Sequence, residues 1–270
     1  MKIRGVVLGV GLFALFVTLP NGSIKAGARA QAGSQVAPAA KHPQSVKSQA
    51  AKSGAFDPRD FNGVWGGQST ALFTKGEPPM TAWALEKYKA AKTPYSNPPV
   101  TGESINDPAF SCEPFGAPRI YFFAHPMKLI QTQSQITMLF EADRIFRIIR
   151  LDSKHPEHAF DTFYGDSIGS WDGNTLVVDT VDFYDQRTWL DPAGHPHSDQ
   201  LHLTERFARP DRDHLRLDIN IEDPVAYSKP WGGQKMFTLE SAGTHLHDVM
   251  CDPEDKPQIL KDFFASEIKK

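Results

Sequence analysis

The sequence predicts an all-β domain of antiparallel strands, arranged as a barrel or a sandwich. Three observations carry this. Apolar and β-branched residues recur with a period of two from Arg119 to near Cys251. The strand-like runs number about eight or nine, at roughly ten-residue spacing. Turn pairs such as Asp172-Gly173 and Pro210-Asp211 separate them.

The chain begins with residues that do not belong to that domain. "MKIRGVVLGVGLFALFVTLP" has a basic start at Lys2 and Arg4 and an apolar stretch from Gly5 to Leu19. Ala28-Arg29-Ala30 and Ala30-Gln31-Ala32 each fit a small-x-small cleavage site, so 1–32 reads as a signal peptide. A retained anchor is the alternative, but a spanning helix needs about 20 apolar residues and this stretch is shorter. Cleavage would remove Lys2, Arg4, Lys25 and Arg29 and no acid, moving the formal charge from −3 to −7. The expected product is periplasmic or secreted, with no stable membrane insertion. Its acidic balance argues against nucleic acid as a partner. Residues 33–56 lack apolar periodicity and are rich in Ala, Ser, Gln and Pro, the composition of a disordered linker.

Residues 57–270 fit a single domain by length. Asp60-Phe61-Asn62-Gly63 is turn-like and Val64-Trp65 starts a strand. A helix is expected within 71–92, where Trp83, Leu85 and Tyr88 follow Pro78-Pro79. The next segment, to Arg119, carries six prolines and two glycines and should be irregular, a lid or wrapped loop. Strands are expected from Arg119 onward, with a break near His125-Pro126. Later come a hairpin around Asp172-Gly173, a second around Pro210-Asp211 and a last one around Ala242-Gly243. "KPQILKDFFASEIKK" suggests a short amphipathic C-terminal helix. Two cysteines, Cys112 and Cys251, in an exported chain suggest one disulfide; two free buried thiols are the alternative.

Alternation aims the side chains. Glu205 shares a strand face with Leu201, Leu203 and Phe207, whereas His202 lies on the opposite face. An inward carboxylate must be paired, hydrogen-bonded or protonated. Arg147 is the simplest partner for Glu205, or for a second carboxylate at Glu141. Such a pair is as consistent with a structural ion bridge as with catalysis. His197 and Glu205 form the acid/base pair worth testing. Tyr164, Trp171, Trp189, Asp191 and Trp231 are candidate ligand contacts. His245 and His247 share a strand face, and with His195 and His197 would make a metal site only if their hairpins adjoin. No HExxH, paired CxxC or GxGxxG occurs, and the one GxSxG, Gly165-Asp166-Ser167-Ile168-Gly169, lacks the strand-turn-helix context of a nucleophile elbow, so no metal and no cofactor is expected.

The run "SIGSWDGNTLVVDTVDFYDQRTWLDPAGHPHSDQLHLTERFARPDRDHLRLDINIEDPVAYSKPW" resembles an uncharacterised family of exported bacterial proteins. The shared blocks are SIGxWxGxTLVVDT, TWLD, PHSD, ERF and DPxxYxKPW, and "CEPFGAPR" and "LFEADRIFRII" are similar too. The resemblance spans about residues 108–252 and implies export but no particular activity. Gly63-Val64-Trp65 resembles the Gly-x-Trp of lipocalin-type barrels. That likeness implies an up-and-down, lipocalin- or calycin-like barrel, with the two short helices flanking it. The expected function is action on a small apolar or aromatic molecule in an internal cavity. As a cofactor-free lyase, isomerase or hydrolase, the protein would move a proton with Glu205 or His197 and stabilise negative charge with Arg147. The alternatives are a non-catalytic carrier of a hydrophobic ligand and a His-based metal protein.

Overall fold

Side-chain alternation sets the strands. In β8 (His214–Glu222), Leu215, Leu217, Ile219 and Ile221 are buried and the intervening residues are not. In β7 (His202–Ala208), Leu203, Glu205 and Phe207 point inward. The other strands are β1 (Gly63–Gly67), β2 (Met127–Gln131), β3 (Gln135–Phe140), β4 (Phe146–Leu151), β5 (Asp166–Asp172), β6 (Thr175–Val181) and β9 (Trp231–Leu239). They form a closed barrel in chain order, with β9 pairing back onto β1. This computed structural model describes residues 55–68, 76–96, 98–100, 102–142, 145–157, 160–184, 188–247, 249 and 251. These residues fall in one compact unit, Ser53–Lys270. The expected signal peptide, nearly all of the linker and the C-terminal helix lie outside the described residues.

The strand count dictates one departure from an all-antiparallel barrel. A meander closed on itself with every neighbour antiparallel needs an even number of strands. The described strands number nine, so one adjacent pair must run parallel. That pair is β4–β5, with Ile149 opposite Ser167 and Leu151 opposite Gly169. The chain between them returns along the outer wall. There His155 contacts Asp166 at 2.6 Å and Asp179 at 3.1 Å. The barrel is therefore mixed, not the wholly antiparallel one that the sequence suggested.

The two barrel ends differ. One end carries tight turns, including Gly173 in the β5–β6 hairpin with φ +59°. The other carries the long segments that follow β1, β6 and β8. α1 (Ala82–Ala90) lies in the first of these, shorter than the expected helix, and residues 69–75 lie outside the described set. Thr81 caps it by accepting the Ala84 N–H, and the Thr81 hydroxyl donates to the Val225 carbonyl at 2.7 Å.

The stretch from Arg119 corrects a second expectation. Arg119–Phe122 forms a 3-10 turn, not a strand, and all four side chains are buried. A strand would send alternate side chains to solvent. This turn instead plugs the barrel mouth. The interior beneath it is packed: Trp65, Met138, Ile149, Leu203, Phe207 and Leu217 are each at most 1% exposed. β9 leads to a turn at Ala242-Gly243, but His245 and His247 after it are exposed and lie outside any strand.

Cys112 and Cys251 form a disulfide across a sequence separation of 139 residues. It ties the plug-bearing segment to the chain beyond β9. Closing so long a loop removes much entropy from the unfolded chain, up to about 5 kcal/mol in the chain-entropy model. The double variant Cys112→Ser/Cys251→Ser should lose about 2–5 kcal/mol of unfolding free energy, measured by denaturant titration. No change in midpoint would show that the bridge is not stabilising.

Candidate functional site

Within the barrel, Arg147 and Glu205 meet. Arg147 Nη1 donates to Glu205 Oε1 at 2.8 Å and Nη2 donates to Glu205 Oε2. The remaining donors go to Tyr121 Oη at 2.7 Å, Thr180 Oγ1 at 2.8 Å and Ser167 Oγ at 3.0 Å. These bonds use all five guanidinium N–H groups. Burial alone would lower the Arg147 pKa, but the Glu205 charge reverses this and raises it. Burial pushes the Tyr121 phenol well up. Glu205 is 0% exposed. A carboxylate gripped this way is positioned for bonding to Arg147, not for taking a proton from a ligand.

The other residues expected to share one cavity are spread over the molecule. Glu141 lies past the end of β3, accepting the His247 N–H at 2.7 Å and meeting His125 Nδ1 at 3.2 Å. His197 is buried, with Nδ1–H donating to the Ser198 carbonyl at 3.1 Å and its ring edge toward Phe183. Tyr164 packs on Phe140. Trp189 lies beneath the Arg119 guanidinium, which pairs with Asp107. Trp171 is at the tight-turn end, against Phe61 and Arg59. Among the described residues no group of three or more His, Cys, Asp or Glu is arranged to hold a metal ion.

The strongest chemical arrangement lies in the loop between β6 and β7, over the barrel mouth. Asp191 Oδ1 accepts the N–H groups of Ala193 at 3.0 Å and His195 at 3.3 Å. The Leu190 N–H closes the loop on the His195 carbonyl at 2.8 Å. This leaves Asp191 Oδ2 for His195 Nδ1, at 2.6 Å. Asp191 and His195 are 0% and 1% exposed. The carboxylate accepts, so Nδ1 carries a hydrogen, and in the neutral ring Nε2 presents its lone pair. His195 Nε2 is buried and has no hydrogen-bond partner among the described residues.

Aromatic rings frame that imidazole. Tyr88 of α1 stacks on His195 with centroids 4.5 Å apart and planes within 4°. Trp231 meets it edge-on at 5.7 Å, and Tyr227 packs on Trp231. Burial raises the Tyr88 pKa, and the charges of Glu77 and Asp191 add to the rise. Tyr227, pushed up chiefly by burial, donates to the Pro196 carbonyl at 2.7 Å. Gly194 lets the loop approach the end of α1: its φ is +94°, and a Cβ there would lie 2.7 Å from Ala91 Cβ.

The structure thus joins two expected ligand residues, Asp191 and Trp231, to His195, which the sequence offered only as a metal candidate. The local signal was Asp-Pro-Ala-Gly-His, an acid and an imidazole separated by turn residues. Tyr88 had no such signal, because its place at the site depends on where α1 docks. Compared with protein-family models, curated proteins and solved structures, the chain matches none.

Arg147→Met alone should cost about 3–5 kcal/mol in denaturant unfolding, since it strands Glu205 in the core. Arg147→Met/Glu205→Met should recover most of that loss. A double variant as unstable as the single one would mean the pair is more than a mutually neutralising bridge.

Proposed function

We propose that the protein is exported and acts by acid/base chemistry on a small apolar or aromatic molecule, bound at the barrel mouth and not inside the barrel. His195 is the proton acceptor and Asp191 is its positioning partner. One observation carries this reading: His195 Nε2 is buried, oriented and unpartnered. A buried nitrogen without a hydrogen bond costs free energy, and such costs persist where a ligand repays them. The imidazole takes a proton at Nε2, and the Asp191 carboxylate stabilises the imidazolium that forms. No cofactor is needed for that step. The aromatic frame of Tyr88, Trp231 and Tyr227 suits a flat apolar substrate.

Access runs through Tyr88. α1 has nine residues and buries only Ala84. A helix that short gains little from its own hydrogen bonds, so its position depends on few contacts. Tilting α1 about its Thr81 tether would lift Tyr88 from His195 and let a ring enter in its place. The resemblance to exported bacterial proteins and the closed barrel in chain order agree with a secreted small-molecule protein, and the reading does not rest on either.

A second reading, a non-catalytic carrier, is favoured by a different feature. At the tight-turn end an open groove of about 460 Å³ is lined by Trp171, Leu151, Arg59, Asp60 and Gln131 among others. It lies far along the barrel from His195 and no histidine lines it.

Molecules co-purified from native-source protein, identified by mass spectrometry, separate the two. On the first reading, His195→Gln binds the recovered molecule as wild type does and no longer converts it. If His195→Gln turns it over normally, or if Trp171→Ala alone abolishes its binding, the acid/base reading is wrong.

A further inference from the structure

The upper half of β9 extends past the end of β1. β1 pairs with β9 only at Phe237, Thr238 and Leu239. Among the described residues, Trp231–Met236 therefore have ladder partners only on the β8 side. The inward row of β9 reads Trp231, Gly233, Lys235 and Phe237, opposite Ile221, Ile219, Leu217 and Leu215 of β8. Trp231, Lys235 and Phe237 are buried, whereas Gly233 contributes no side chain and is partly exposed. Gly233 thus leaves that position of the row without a side chain, two residues from the row's one cation.

Lys235 is an unusual occupant of that row. Its Nζ donates to the Gln68 carbonyl at 2.6 Å and sits 5.7 and 5.8 Å from the rings of Phe122 and Phe237. Its stem lies against Gly67, where a Cβ would be 3.2 Å from Lys235 Cε. Among the described residues it makes no ion pair, and residues 69–75, next to its carbonyl partner, contain no acid. Burial alone pushes its amine down to about 8. A buried ammonium without a counter-charge is costly, so the group gives up its proton more readily than an exposed lysine does. A neutral lysine amine in apolar surroundings is a nucleophile toward carbonyl carbon.

We propose that Lys235 is a carbonyl-reactive amine that captures a small aldehyde as an imine, with the apolar part of the aldehyde lying over Gly233. The Nζ lone pair attacks the carbonyl carbon, and the oxygen takes a proton to give a carbinolamine. The C–O bond then breaks with loss of one water, and nitrogen releases its second proton to leave C=N. Amine and aldehyde give imine and water, with no change of oxidation state. The step uses neither His195 nor Asp191, so it stands apart from the acid/base reading.

The test treats the native full-length protein with benzaldehyde and sodium cyanoborohydride at pH 7, followed by peptide mapping. Lys235 should be benzylated about tenfold or more over the exposed lysines, whose amines titrate near 10.4. The preference should vanish in guanidinium, and should persist in His195→Gln. Labelling of Lys235 at or below the level of exposed lysines in the folded protein overturns the proposal.

Lys235→Met guards against a trivial result. Replacing an uncompensated buried cation by a side chain of similar volume should raise the melting temperature at pH 7. The folded-state pKa lies below the unfolded one, so the cost of the protonated amine is greatest below about 8. It fades as pH climbs toward the unfolded value of about 10.4. The melting-temperature advantage of Lys235→Met should shrink over that window. An advantage that is absent, or that grows with pH, means that the amine has a counter-charge and the proposal fails.

Discussion

The barrel is organised around one buried cation. Arg147 spends every guanidinium hydrogen on five acceptors contributed by β5, β6, β7 and the mouth plug. Each acceptor would be costly to bury alone, and so would the arginine. Together they fix how the plug sits relative to the wall, because Tyr121 reaches Arg147 only when Arg119–Phe122 turns into the mouth. Tyr121 then meets Phe140, Phe207 and Phe237, so one polar knot and one aromatic cluster share a side chain. Filling the interior in this way moves any reactive group to the mouth.

The outer wall has a constraint of its own. Nine strands impose a parallel pair, and a parallel pair imposes a return segment that must be held down. A chain of charges does this. Arg150 grips Asp166 with two 2.8 Å bonds, and His155 bridges Asp166 to Asp179, which also binds His202. Arg150 and His155 hold the Asp166 carboxyl below its ordinary range. Burial opposes the same effect at Asp179, and its two histidines overcome it. His202, set apart from the interior by strand alternation, belongs to this wall.

Two imidazoles of one short loop have opposite fates. His197 gives its Nδ1–H to the next residue's carbonyl, while His195 is held by Asp191 and leaves Nε2 without a partner. The sequence favoured His197, since His202 lies on the outward strand face and His195 sits in the Gly194-His195-Pro196 turn. Glu205 was committed elsewhere, to an arginine 58 residues away. Lys235 was silent in the sequence for a related reason. Its row contains glycine, so the alternation that marks β7 and β8 is broken there.

Strand alternation, turn residues and the cysteine pair sufficed to specify a β-domain, its hairpins at Asp172-Gly173 and Pro210-Asp211, the inward face of Glu205 and the bridge from Cys112 to Cys251. Those features are local in the chain or depend on a count of two, so one dimension suffices. Tertiary structure alone decided the partner of Glu205, the parallel β4–β5 pair, the plug at Arg119–Phe122 and the docking of Tyr88 on His195. Each joins segments far apart in sequence, through ring closure or burial, and neither periodicity nor spacing encodes which distant side chain completes a buried bond. The proposed chemistry therefore rests on contacts that exist only once the barrel has closed.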